Sequence, residues 1–259
     1  MLYYLCFFII IGFFVTIIHL MDVSSSKFKI DAIYLMNLER RPDRLNDFMV
    51  HYNNTDLKKI QLTRMHAVDG SKLDLKSIPL TDMAKLELKQ LETTGFRYKH
   101  YQLTRGAIGC YLSHVKIWEN MLKNNQDVVL IFEDDARPPP NIMFAINKIM
   151  LDMPKDWDIV LLGKYCHECE EHATYLKMKR FILLHSYIIS KKGVEKIIGT
   201  NSLFPISQQL DSFLSEISGT LNIYSPKTDI VRQGKSRTDI QAPIIKSKHN
   251  YDRMLLENK

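Results

Sequence analysis

The chain has 259 residues, 46% of them hydrophobic and 25% charged, enough for one globular domain with a sizeable core. Its net charge of +6 lies in short clusters such as Arg40-Arg41, Lys58-Lys59 and Lys191-Lys192, not in a long basic run interleaved with aromatics. That argues against nucleic acid and leaves a phosphorylated substrate or an anionic membrane surface, while four cysteines exclude a disulfide scaffold in a chain this long.

Residues 2–21 are almost wholly apolar, broken only by Gly12, Thr16 and His19. As a helix, about 20 residues rising ~1.5 Å each span about 30 Å, enough to cross a bilayer. No Lys or Arg precedes the run and it is long for a signal core. An uncleaved anchor over 1–22 is therefore favoured over a signal cleaved near Val23-Ser24-Ser25. Lys27 and Lys29 would keep the body cytoplasmic, whereas the sequon Asn53-Asn54-Thr55 matters only for a lumenal body. The expectation is a single-pass, membrane-associated protein with an ER/Golgi-type lumenal body favoured over a cytoplasmic one, and with secretion after cleavage as a further alternative. A linker over 23–29, a domain over 30–245 and a charged tail over 246–259 complete the organisation.

The domain opens with a strand, Ile30 to Leu38, which runs into Glu39-Arg40-Arg41-Pro42-Asp43-Arg44. Pro42 suits a first helical turn, and Leu45, Phe48, Met49 and Tyr52 continue it at helical spacing. Asn37, Arg40, Arg41 and Arg44 around this turn suit a phosphate or nucleotide cradle. The alternative is a solvated helix start with arginines paired to Glu39 and Asp43. A second strand over 61–68 stops at Asp69-Gly70, a strong turn dipeptide. Residues 79–92 read as an amphipathic helix with Met83, Leu86 and Leu91 near one face. Thr104 suits the cap of a helix through Lys123, with Ile108, Leu112, Val115, Trp118 and Leu122 facing the core. Gly106 and Gly109 would let another backbone or a ligand approach. His114 reads as a hydrogen-bonded structural residue.

Val128-Val129-Leu130-Ile131-Phe132 reads as a strand buried on both faces, ending in Glu133-Asp134-Asp135 and stopped by Pro138-Pro139-Pro140. Three carboxylates at a strand end repel one another, and a divalent cation relieves that repulsion. Ligands of open α/β sheets bind beyond the carboxyl ends of strands, so this is the candidate metal site. The alternative is a solvated acidic loop. Further on, 142–153 reads as helix, 157–163 as a buried strand, 180–190 as one strand, and 191–200 and 205–218 as helices. Short strands follow at 220–226 and 229–233. The Cys166-x-x-Cys169 stretch through His172 reads as a polar loop that holds zinc or a local disulfide. Alternating strands and helices predict a three-layer α/β domain with a mostly parallel, mixed sheet. Dinucleotide, P-loop, nucleophile-elbow and zincin motifs are all absent.

Several pieces then occur in a specific order. They begin with Tyr34-x-x-Asn37-Leu38-x-Arg40-Arg41-Pro42-x-Arg44, Ala67-Val68-Asp69-Gly70 and Gly106-x-x-Gly109-Cys110-x-x-Ser113-His114. Ile131-x-Glu133-Asp134-Asp135-Ala136, Trp157-Asp158-Ile159-Val160-x-Leu162-Gly163 and His185-x-Tyr187-x-x-Ser190-x-x-Gly193 follow. Asp211-x-Phe213-Leu214 and Pro226-x-x-x-Ile230-Val231-x-Gln233-x-x-Ser236-x-x-Asp239-Ile240 close the series. The ordered set resembles glycosyltransferase family 25, the lipopolysaccharide-type and procollagen-type β-galactosyltransferases. The resemblance implies a GT-A-like fold, a nucleotide-sugar donor such as UDP-galactose, and a glycan, lipopolysaccharide-like or glycoprotein acceptor. It also implies Mn²⁺ (or Mg²⁺) and inversion at the anomeric carbon. Glu133, Asp134 and Asp135 would stand in place of the DxD motif, with Asp134 and Glu133 also facing the donor. Asn37, Arg40, Arg41, Arg44, Asp69 and Gly70 would lie near the donor nucleotide. Asp211 falls on an acidic site position, followed here by Ser212 where many relatives carry Glu. Inversion in one displacement needs a base for the acceptor hydroxyl; Asp211 is the first candidate and His185 the second. Two rivals stand beside this reading, a metal-dependent phosphohydrolase and a non-catalytic nucleotide-sugar-binding module.

Overall fold

The structure, a computed structural model, describes residues 27–99, 101–235 and 238–241. The apolar run 2–21, Ser236 and the tail from 246 lie outside them. Among the described residues no helix is long and apolar enough to cross a membrane. In chain order the elements are β1 (Ala32–Asn37), α1 (Pro42–Tyr52), β2 (Leu62–His66), α2 (Asp82–Thr94), α3 (Arg105–Lys123), β3 (Val128–Glu133), β4 (Ala136–Arg137) and α4 (Ile142–Asp152). They continue with β5 (Ile159–Leu161), β6 (Tyr165–Glu171), β7 (Tyr175–Ile182), β8 (Ser186–Ser190), α5 (Lys191–Gly199), α6 (Leu210–Glu216), β9 (Ile223–Pro226) and β10 (Arg232–Gln233).

β3 is apolar from Val128 to Phe132 because it is covered twice. Val129 and Ile131 face one core with α2, α3, α5 and α6; Leu130 and Phe132 face another with α1 and α4. The result is the expected three-layer α/β arrangement. The sheet order is β2-β1-β3-β8-β5-β9-β7-β6. Six strands run one way, and β7 and β8 run against them. A separate two-stranded piece pairs β10 with β4. Parallel register sets Met36 opposite Glu133, so β1 and β3 end at the same edge of the sheet.

Tertiary contacts override local pattern in four places. The run 180–190 is not one strand: Leu183 has φ 79°, and the chain breaks there into β7 and β8. The Asp211 carboxylate accepts the Leu183 N–H at 3.3 Å, a partner in place of the sheet ladder. The stretch 165–171 is an edge strand, not a loop, and Cys166 and Cys169 form a disulfide. On α2, Met83 and Leu86 are 62% and 61% exposed, whereas Ala84 and Leu88 face the core. Glu87 on that inner side accepts from the Leu103 N–H at 3.1 Å, which turns the helix against the 95–104 loop. The helix expected over 205–218 spans only Leu210–Glu216. Ile206 is held extended by bonds to Pro79 and Thr81, at 2.8 and 3.1 Å.

Thr104 caps α3 as its sequence predicts, accepting the Ala107 N–H at 2.9 Å. The first turns of α3 press on the Val68–Gly70 turn. A Cβ on Gly109 would sit 2.5 Å from the Val68 carbonyl oxygen, and one on Gly70 would run into the Arg105 carbonyl. Gly109→Ala should therefore destabilise by about 1–3 kcal/mol, although alanine is the better helix former. Thermal melting checks this, and a higher Tm in the variant would show that the close approach relaxes freely.

Candidate active site

Because β8 runs antiparallel beside β3, its first residues lie at the carboxyl end of β3. There the Glu133 N–H donates to the His185 carbonyl at 2.9 Å. Asn37, at the end of β1, donates from Nδ2 to Asp134 Oδ2 at 2.6 Å and accepts from Arg64 Nη2 at 2.7 Å. Arg44, in the first turn of α1, reaches Asp134 Oδ1 at 2.7 Å and Asp135 Oδ2 at 2.9 Å. From β10, Gln233 donates to Asp135 Oδ2 at 3.2 Å, and the Gly234 N–H donates to the Asp135 carbonyl at 2.7 Å. The Oδ1 of Asp135 is buried without a hydrogen-bond partner.

The acidic group is thus gathered at the sheet edge and not spread through solvent; Asp134 is only 6% exposed. Burial pushes the Asp134 carboxyl up to about 6, although Arg44 and Asn37 pull the other way. Asp135 is raised by burial and by the neighbouring Glu133 charge. Glu133 goes down: burial opposes its ionisation, but the hydrogen bond from His114 and the positive charge of Arg44 help to outweigh it. One guanidinium, Arg44, faces two of these carboxylates, so the cluster suits a further cation with oxygen ligands. Asp135 Oδ1 and the Glu133 carboxylate are the available donors, because both Asp134 oxygens are already held.

A second donor set brings Cys110 Sγ, a His114 ring nitrogen and a Glu133 oxygen within 4.8 Å of one another. It reads better as a buried hydrogen-bond chain. Trp118 Nε1 only donates, and it reaches the Tyr187 hydroxyl at 3.1 Å. The Tyr187 proton then goes to His114 Nδ1 at 2.8 Å, which leaves the Nε2–H for Glu133 at 3.4 Å. Burial holds the Cys110 thiol well above its usual range, which keeps it protonated. His114 is the hydrogen-bonded residue the sequence suggests, but its partners come from β3 and β8 and were not legible in the helix pattern.

Arg40 bridges Asp69, at 2.9 Å, and Asp239, at 2.7 Å. Arg41 pairs with Asp43 at 2.8 Å and also meets Asp239. Two adjoining cavities open here. One of about 270 Å³ is lined by Arg40, Arg44, Asp69, Gly70, Glu133 and Asp239 among others. The other, about 280 Å³, is lined by His114, Glu133, Asp135, His185, Asp211 and Gln233 among others. Arg44, Cys110, Glu133 and Ile240 line both. Asp211 sits on α6 with Oδ1 accepting the Ser212 N–H at 2.8 Å, and burial raises its carboxyl above the usual range. His185 donates from Nε2 to the Val231 carbonyl at 3.1 Å; its Nδ1 is buried without a partner. The cavities therefore bring together Arg40, Arg44, Asp69, Gly70, Glu133, Asp134, Asp135, His185 and Asp211. Asn37 stands behind Asp134, and Arg41 is held against Asp43 and Asp239.

A three-layer α/β domain with paired cavities at an acidic strand end has the layout of a ligand-binding α/β domain. The sequence model of glycosyltransferase family 25 (LPS biosynthesis protein) matches residues 30–214, and the chain belongs to that family. A glycosyltransferase 25 family member of Aedes aegypti is 30% identical over 184 residues, covering 68% of this chain and 29% of that protein. Human procollagen galactosyltransferase 2 is 26% identical over 202 residues, covering 73% of this chain and 30% of its own length. Human inactive glycosyltransferase 25 family member 3 is 31% identical over 144 residues, covering 54% and 22%. The chain spans less than a third of the length of each of these relatives.

Proposed function

We propose that the chain is a metal-dependent glycosyltransferase with a GT-A-like domain. It transfers a sugar, galactose from UDP-galactose in the first instance, with inversion to a hydroxyl of a glycan or glycoprotein. The observation that carries this is the unpartnered Asp135 Oδ1 of the second cavity beside Glu133, which lines both cavities. Glu133 and Asp135 would hold Mn²⁺ or Mg²⁺, which as a Lewis acid offsets charge on the leaving diphosphate. Asp134, gripped by Asn37 and Arg44, fixes the turn that aims Asp135. Arg40 and Arg44 line the first cavity, paired there to Asp69, Asp239 and Asp134, and their guanidiniums would supply hydrogen-bond donors to the phosphates of the donor.

In the second cavity Asp211 takes the proton of the acceptor hydroxyl as its oxygen bonds to the anomeric carbon. The old bond to the diphosphate oxygen breaks, and its electron pair leaves with that oxygen. His185 is the alternative base through its free Nδ1. The full chain, incubated with a panel of UDP-sugars and Mn²⁺, should release UDP and lose this activity in EDTA. No metal-dependent release from any donor would overturn the proposal. The likeness to the inactive family member motivates a second reading, a module that binds UDP without turnover, and UDP binding with no release from any donor would select it. The anchor proposed over 2–21 rests on the sequence alone and is tested by carbonate extraction of membranes.

A further inference from the structure

We propose that Tyr165, Tyr101 and His167 form a stacking platform for a pyranose ring of the acceptor, set beside Asp211; this rests on the transfer reaction above. β6 is the last strand of the sheet, and its pairing with β7 is irregular. Cys166 pairs with Phe181 and Glu168 with Arg180, so His167 bulges out of the ladder. Bulges of this kind re-aim a side chain, and here the imidazole turns toward Tyr101. His167 Nε2 lies 2.8 Å from the Tyr101 hydroxyl, with the two rings edge to face at 6.2 Å. The Tyr165 ring is 5.0 Å from the imidazole, also edge to face. Yet Tyr165 remains 56% exposed and Tyr101 40%. An exposed cluster of rings locked to one another presents a preformed surface.

Two short paths, each through neighbouring residues and hydrogen bonds, tie this cluster to the candidate base. Tyr165 lies opposite Ile182, and the next residue, Leu183, gives its N–H to Asp211. Tyr101 precedes Gln102, whose carbonyl accepts from Gln209 at 3.1 Å, and Gln209 caps the helix that carries Asp211. Burial and the Asp211 charge together hold the Tyr101 hydroxyl above its usual range.

A pyranose offers a C–H face to an electron-rich ring face and a rim of hydroxyls to phenol and imidazole. A polypeptide acceptor would more naturally add to the open edge of β6. The bulge and the charges of Glu168, Glu170 and Glu171 work against such strand addition. The cluster therefore favours a sugar.

The test is saturation-transfer NMR of methyl β-galactopyranoside with the full chain. Signal should concentrate on the C–H face of the sugar. Tyr165→Ala and Tyr101→Ala should each weaken binding by up to about tenfold, Tyr165→Phe should retain it, and the exposed positions should leave melting unchanged. Undiminished saturation transfer in both alanine variants would overturn the platform, as would binding of a hydroxylated peptide in place of the sugar. UDP release is read in parallel. Release without pyranoside binding sinks the platform alone. Pyranoside binding that Tyr165→Ala weakens, with no release from any donor, sinks the transferase reading and keeps the platform.

Discussion

Asp135→Asn should lower metal-dependent sugar transfer by about 10²–10³-fold, a magnitude typical for removing one preorganised charge contact to a transition state. The substitution is nearly isosteric. Its amide oxygen still accepts from Gln233, so the turn into β4 and β10 persists. What disappears is the charge on an oxygen that no protein group satisfies. Isothermal titration with Mn²⁺ should show weaker binding in step with the lost activity. A variant that turns over normally would remove Asp135 from the metal site. The same cluster gives a pH signature. Asp134 titrates at about 6 when folded, above the ~3.9 of an unfolded aspartate. Folding therefore favours its protonated form, and without metal, stability falls as pH rises through that window. Bound cation reverses the effect, so the Tm gain from Mn²⁺ should be larger at about pH 7.5 than at about pH 5.

Asp211→Asn should cost about 10²–10⁴-fold in kcat while the KM for the donor stays nearly unchanged, as expected for loss of a general base. Its carboxyl is raised by burial, with backbone N–H bonds from Leu183 and Ser212 pulling the other way. In the wild type, transfer should climb with pH as this group loses its proton, and the variant should lack that acid limb. The sign for stability is opposite: an acid with a raised folded pKa destabilises the native state once ionised. The variant should therefore not lose stability between acid and neutral pH as steeply as the parent. If His185→Gln abolished the acid limb and Asp211→Asn did not, the base would be His185, whose Nδ1 is free in the same cavity.

Elements whose burial follows from their own residues were readable in advance. β3 is apolar up to Glu133 and covered twice; α3 carries its cap and stripe within nineteen residues. The acidic strand end announced itself for the same reason, since repulsion among Glu133, Asp134 and Asp135 is visible without coordinates. Features set by distant chain were not. Nothing between 180 and 190 says that Asp211 will take the Leu183 N–H and break the strand. Nothing on α3 says that His114 will meet Tyr187 and Glu133. Arg44 was readable as a cation near a ligand, but its grip on Asp134 and Asp135 needed the register of β1 against β3. The hairpin of β6 and β7 escaped because its compensating irregularities erase the period-2 alternation that marks a half-buried strand.

The packing at the start of α3 has a consequence for how such a protein tolerates sequence drift. Gly70, Gly106 and Gly109 let three stretches of main chain touch: the turn after β2, the helix itself and residues 239–240. Much of that wall of the first cavity is peptide backbone. Its contour is therefore insulated from most side-chain replacements nearby, and vulnerability is concentrated in a few positions where a single methyl group would wedge the segments apart. A lineage could rewrite the surface of this half of the domain extensively and keep the shape of the chamber, so long as those three positions stayed bare.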